Sequence, residues 1–126
     1  MHIQTKVFHS PDRINHVIMI AQGVLDRSAL VQMISEIAAV AIVRPNSKVL
    51  IDLIDSNCRV DPKTIRGLLN ELNPAVWPVH NKVAFVSSLK DDEYIRLSNL
   101  TTALASTGFK VAVFQGAKAA VDWLAT

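Results

Sequence analysis

The chain has one cysteine, Cys58, so no internal disulfide is possible and a reducing compartment is the simpler expectation. Its four glycines, Gly23, Gly67, Gly108 and Gly116, stand apart from one another, which removes any phosphate-binding glycine fingerprint. No sign of charge dominates: 13 basic residues face 11 acidic ones, a net +2, and they are scattered singly. Such a surface is not that of a phosphate-backbone binder, so no nucleic-acid partner is expected. The longest uncharged apolar run, Ile37 to Val43, is far too short for a transmembrane segment, and Met1 to His9 has no signal-peptide core. What is present is 50% hydrophobic residues against 19% charged ones in 126 residues, enough for one domain with a real core. A soluble, cytoplasmic domain spanning 1–126 is the expectation.

Ile3 to Phe8 alternates as an edge strand does, His9 to Arg13 is turn chemistry, and His16 to Ala21 is a second strand ended by Gln22-Gly23. The two strands are close enough for an antiparallel hairpin, with His9 and His16 facing each other across it. Asp26 caps a helix whose apolar face carries Leu30, Met33, Ile34, Ile37, Ala38 and Ala41 and which stops before Pro45. Val49 to Ile54 is almost continuously apolar, the habit of a strand covered on both faces in a parallel sheet. Asp52 within it should find hydrogen-bond donors near the strand's end.

A polar loop, Asp55 to Val60, follows. Asp61-Pro62 then places a cap before a proline at the first helical position. Ile65, Leu68, Leu69 and Leu72 form that helix's buried stripe, and Asn73-Pro74 ends it. Lys82 to Val86 is the next strand. Asp91-Asp92-Glu93 suits a helix amino terminus; Tyr94, Leu97, Leu100, Thr101 and Leu104 share its face, and Gly108 caps its end. Val111 to Phe114 is the last strand, and Gly116 to Ala125 the last helix, with Ala117, Ala120, Val121 and Leu124 on one side. The order ββαβαβαβα implies an α/β domain: a mostly parallel mixed sheet of about five strands with helices on both faces.

The element order, the strand Lys48-Val49-Leu50-Ile51-Asp52-Leu53, and the run from Gly108 through Phe114 to Leu124 together resemble the STAS superfamily, closest to its SpoIIAA-like branch of anti-sigma-factor antagonist-like domains. The resemblance covers His16 to Leu124. It implies a single STAS-like domain and a non-enzymatic role as a regulatory, protein-interaction module, and it agrees with an Asp at position 52. In the antagonists the helix start after this strand carries a phosphorylated serine. Here Asp61 matches, but Pro62 and Lys63 stand where the serines would be and no glycine follows directly. The phospho-switch therefore does not carry over, and Thr64 is the nearest hydroxyl.

Open α/β sheets bind ligands outside the carboxyl ends of their strands. Asp55, Ser56, Asn57, Cys58, Arg59, Asp61, Thr64, Ser87 and Ser88 collect there and form the expected ligand or partner loop. Phosphate on Ser56 would meet Arg59 but also the repelling Asp55 and Asp61. Cys58, beside a cation and a helix start, is a reactive thiol on one reading and a small packed side chain on the other. His2, His9, His16 and His80 lack zinc spacing, and no metal or cofactor is expected. No nucleophile, base and oxyanion group can be assembled. Trp77, between Pro74 and Pro78, is either an exposed anchor or an edge cover, and Trp123 is core packing. The run Ile37 to Val43 is apolar all round its helix, so Ile37, Val40, Ala41 and Val43 are expected to meet a second copy in a homodimer. The alternative function is a carrier of a small lipid-like or anionic ligand.

Overall fold

The computed structural model describes residues 1–9, 15–43, 47–71, 81–106 and 108–126, with side chains 6–9, 15, 43, 62 and 69–71 excepted. Its elements run β1 (His2–His9), β2 (Asn15–Leu25), α1 (Arg27–Val43), β3 (Lys48–Asp52), β4 (Ser56–Cys58), α2 (Pro62–Glu71), β5 (Lys82–Val86), α3 (Asp91–Ala105), β6 (Lys110–Phe114) and α4 (Ala117–Leu124). The expected turn at 10–13, Pro45, Leu72, Asn73-Pro74, Trp77, Pro78 and His80 lie outside the described residues, as do the side chains of Leu69 and Val43.

The sheet order is β1-β2-β3-β5-β6. β1 pairs β2 antiparallel, and the other neighbours in that order pair parallel. The register places His16 opposite Phe8, and His9 opposite Asn15, so the two histidines do not face each other. β3 is the middle strand. Its side chains alternate between two cores, which is why its sequence is apolar at successive positions. Val49 and Ile51 join Val17, Met19, Val83 and Phe85 beneath α1, α2 and α3. Leu50 joins Ala84 and Val86 beneath Ala120 and Leu124 of α4. Both faces thus carry helices, but three lie on one side and α4 alone on the other.

α4 is fastened from β5. The Lys82 Nζ donates to the Thr126 carbonyl and hydroxyl, each at 2.8 Å, and sits 5.1 Å from the Trp123 ring centre. Trp123 is partly buried against Phe114, their ring centroids 5.7 Å apart. Val121, expected on the packed side of α4, is instead half exposed, and Ala117 is exposed, because one short helix, lying over β3, β5 and β6, cannot cover the whole of this face. At the sheet's amino end the buried Asn81 amide donates to the Ser47 carbonyl (2.8 Å) and hydroxyl (3.1 Å).

Two expectations are corrected at the carboxyl end. β2 does not stop at Gln22-Gly23; Gly23 takes φ +114 and the strand continues to Leu25. The stretch Asp55 to Val60 is not all loop, for Ser56–Cys58 is a sixth strand, parallel to Gly23–Leu25. The long β2 outruns β3, and its last peptide groups would otherwise be unpaired. Between the Ile20–Asp52 and Gly23–Ser56 pairs the β3–β4 side carries one residue more than β2, in the manner of a bulge. Asp52 makes that turn: its Oδ1 accepts the Ile54 N–H at 3.0 Å. The strand therefore ends at Asp52, and Ile54 points outward rather than into the core.

Candidate functional site

The crossovers bring the ends of β2, β3, β5 and β6 together with the starts of α2 and α3. At α2 the cap reads as its sequence suggests: the Thr64 N–H donates to Asp61 Oδ1 at 2.7 Å, and the Ile65 N–H to the Asp61 carbonyl at 3.1 Å. The Thr64 N–H, then its hydroxyl, hold the Asp61 carboxyl below the usual aspartate range. The same device starts α1, where Ala29 donates to Asp26 Oδ1 at 2.9 Å.

The remaining candidates separate into two groups. Ser56 is buried and its hydroxyl donates to the Leu53 carbonyl at 2.8 Å; Ser87 is buried and donates to the Ser88 carbonyl at 3.0 Å. These hydroxyls hold the turns together. The Ser88 hydroxyl oxygen is itself buried and has no hydrogen-bond partner among the described residues. Asp55, Asn57 and Arg59, by contrast, are exposed around β4. Their backbones continue the sheet: the Asp55 carbonyl accepts from Gly23 at 3.2 Å, and the Arg59 N–H donates to Leu25 at 2.8 Å.

Cys58 belongs with the first group. It is buried, and that burial pushes its thiol pKa up, with the Glu93 charge adding to the shift; the Val60 backbone, Arg96 and Arg59 oppose it. A thiol so placed is protonated at neutral pH and is a packed side chain, not a nucleophile.

Glu93, expected only as a favourable charge in the first turn of α3, is buried. Its Oε2 accepts the Cys58 N–H at 3.0 Å, and its Oε1 accepts from Arg96 Nη1 at 2.7 Å. Asp92 lies 3.7 Å from the other Arg96 nitrogen. This carboxylate ties β4 to α3 across the site. It, rather than Tyr94, leads the buried stripe Leu97, Leu100, Thr101 and Leu104. A signal was available, since Glu93 precedes Leu97 by four residues and Leu100 by seven, the spacing of one helix face. Between β4, the Asp61 cap of α2 and the α3 side chains lies a recess of ≈ 270 Å³, lined by Cys58, Arg59, Val60, Asp61, Arg96 and Asn99. Arg96 and Asn99 had not been singled out from the sequence.

Among the described residues no group of three His, Cys, Asp or Glu side chains is placed to hold a metal ion, and no helix is long and apolar enough to cross a membrane. No family model and no curated protein matches the chain. Solved structures do. A crystal structure of an uncharacterized DUF3478-family protein from Shewanella loihica PV-4, described as having a SpoIIAA-like fold, aligns over 97% of this chain and 93% of its own, with TM-score 0.55 and 19% identity. The anti-sigma factor antagonist SpoIIAA in its unphosphorylated form aligns over 97% and 98%, with TM-score 0.44 and 11% identity. Helix placement, strand order and the first of these alignments agree: the chain has the SpoIIAA-like α/β fold.

Proposed function

We propose that the chain is a non-enzymatic regulatory module that works by docking a partner protein on the carboxyl end of its sheet. The observation that carries this is a set of large apolar side chains held out to solvent there: Val24 (49% exposed), Ile54 (46%) and Leu89 (81%). They lie at the ends of β2, β3 and β5, three neighbouring strands, with the exposed Asp55, Asn57 and Arg59 beside them. An apolar centre with a polar border is how interaction surfaces are built. The buried, internally bonded Ser56 and Ser87 fit a structural role at the same end. A reducing, cytoplasmic location suits the single buried thiol.

Site-specific photocrosslinking tests this. A photoreactive residue at position 89 of the full chain is expected to give one discrete protein adduct in the source cells. Ile54→Asp is expected to abolish it, and the same residue at Lys118 on α4 to give none. No adduct from positions 24, 54 or 89 would overturn the reading.

A homodimer through α1 has narrower support than the all-apolar run suggests. Ile37 and Ala38 are buried within the chain's own core, and Val40 and Ala41 are partly covered. Among the described side chains of α1, Ile42, 73% exposed, is the large apolar one left for a second copy. Sedimentation at high concentration is expected to show a two-chain species that Ile42→Asp returns to one chain; a native chain that stays single removes the dimer. The ligand-carrier alternative has little enclosed room between α1, α3 and the sheet, where the apolar cavity is ≈ 20 Å³, about enough for one water.

A further inference from the structure

Beside the recess at β4 lies a second groove of ≈ 410 Å³, reaching Arg66 of α2 and Thr102 and Ser106 of α3, and the two meet at Asn99. Taken together as an α2–α3 channel, they begin at Arg59, beside the proposed docking face. Its α3 wall, from Arg96 to Ser106, is about 15 Å long, the length of four or five extended residues.

The side chains lining the two recesses carry three guanidinium groups, Arg59, Arg66 and Arg96, against the one carboxylate of Asp61. Asp61 is bonded to the Thr64 N–H, and Glu93 to Arg96 and the Cys58 N–H. Asp92 stands beside Arg96 as well. Two guanidinium groups are left over. Arg59 at one end and Arg66 further along are exposed, and neither has a carboxylate partner among the described residues. The α3 wall between them offers the exposed amide of Asn99 and the exposed Thr102, both uncharged. A guanidinium presents a planar fork of donors that matches a carboxylate two bonds at a time. Among the described residues, no aromatic ring lines the channel for a nucleobase to stack on.

We infer that this channel receives an extended acidic segment of the partner protein, its carboxylates meeting Arg59 and Arg66. The inference rests on the interaction role proposed above and names the chemistry of the partner.

The probe is a fluorescein-labelled hexaglutamate peptide, titrated with the full chain at low salt and followed by anisotropy. A hexalysine peptide and a six-nucleotide thymidine strand are run beside it. Saturable binding of hexaglutamate is expected, without binding of hexalysine. Arg59→Glu with Arg66→Glu is expected to weaken it by about tenfold or more, since both side chains of a two-point contact are reversed in sign. Lys110→Glu with Lys118→Glu, on β6 and α4, should leave it within about twofold, and circular dichroism checks that each variant is folded. No saturable binding, an equal loss in the Lys110/Lys118 variant, or tighter binding of the thymidine strand would each overturn the inference. Crosslinks from position 89 without hexaglutamate binding would sink this inference alone. Hexaglutamate binding without crosslinks would sink the docking role and leave the channel an acidic-peptide site.

Discussion

Replacing Glu93 by alanine is expected to lower the free energy of unfolding by about 2–3 kcal/mol, a loss larger than an ordinary helix substitution would give. Two groups lose their partner at once. The Cys58 N–H, on a strand with only β2 beside it, keeps no acceptor within a buried region. The Arg96 guanidinium keeps only Asp92, at 3.7 Å and largely solvated, where screening leaves little attraction. Glu93→Gln preserves a carbonyl oxygen for the Cys58 N–H while giving up the ion pair, so its loss should be clearly smaller. Urea unfolding with unchanged m-values measures the stabilities, and hydrogen exchange at the Cys58 amide measures the cause. That amide should become fast in the alanine variant and stay slow in the glutamine variant. An unchanged midpoint together with a protected Cys58 amide would mean that β4 is held by its pairing to β2 alone.

Phe85→Ala carries the larger effect, about 3–5 kcal/mol. Phe85 sits on β5, between β3 and β6, and is 1% exposed. Its ring faces Met33, Ile34 and Ile37 of α1 together with Leu104 and Phe109, around the ≈ 20 Å³ apolar cavity. Removing the ring enlarges an existing void instead of letting the walls close over a new one, because the sheet below and two helices above are fixed by contacts elsewhere. Phe85→Leu, which keeps most of the volume, should lose less than about 1.5 kcal/mol. For a domain whose whole stability is on the order of 5–15 kcal/mol, the alanine variant should unfold at a markedly lower urea concentration. A loss below about 1 kcal/mol would show that α1 settles onto β5 when the ring is gone.

The fold was legible because burial on two sides leaves a plain mark. Lys48 to Asp52 and Lys82 to Val86 are apolar at successive positions, and that pattern places both strands inside a parallel sheet between helical layers. The starts of α1 and α2 were legible for a local reason: Asp26 and Asp61 bond to N–H groups three residues on, so donor and acceptor lie in one short stretch of chain. β4 was not legible. Three residues, Ser-Asn-Cys, make too short a pattern, and what turns them into a strand is the unpaired end of β2, some thirty residues earlier. The unequal layers were hidden as well, since α4 reads as an amphipathic helix whether or not it has companions on its side of the sheet.

The candidate site divides along the same line. Its position at the carboxyl ends of the strands follows from element order, and Asp61's role from its neighbours. The fate of each polar side chain does not. Ser56 and Ser87 were candidates by residue type, and both lie buried, their hydroxyls bonded to nearby carbonyls. Glu93, read from the sequence as a favourable first-turn charge, proved to be the tie between two elements.

The sequence by itself determined the order of the five longer strands and the four helices, most of the faces they bury and where α1 and α2 begin, since those follow from side-chain period and from bonds between near neighbours. Only the tertiary structure decided which polar groups are already engaged and which, like Arg59 and Arg66, have no carboxylate partner among the described residues. Cys58 meets Glu93 across 35 residues and Asn81 meets Ser47 across 34, and no local pattern carries a pairing made at that range.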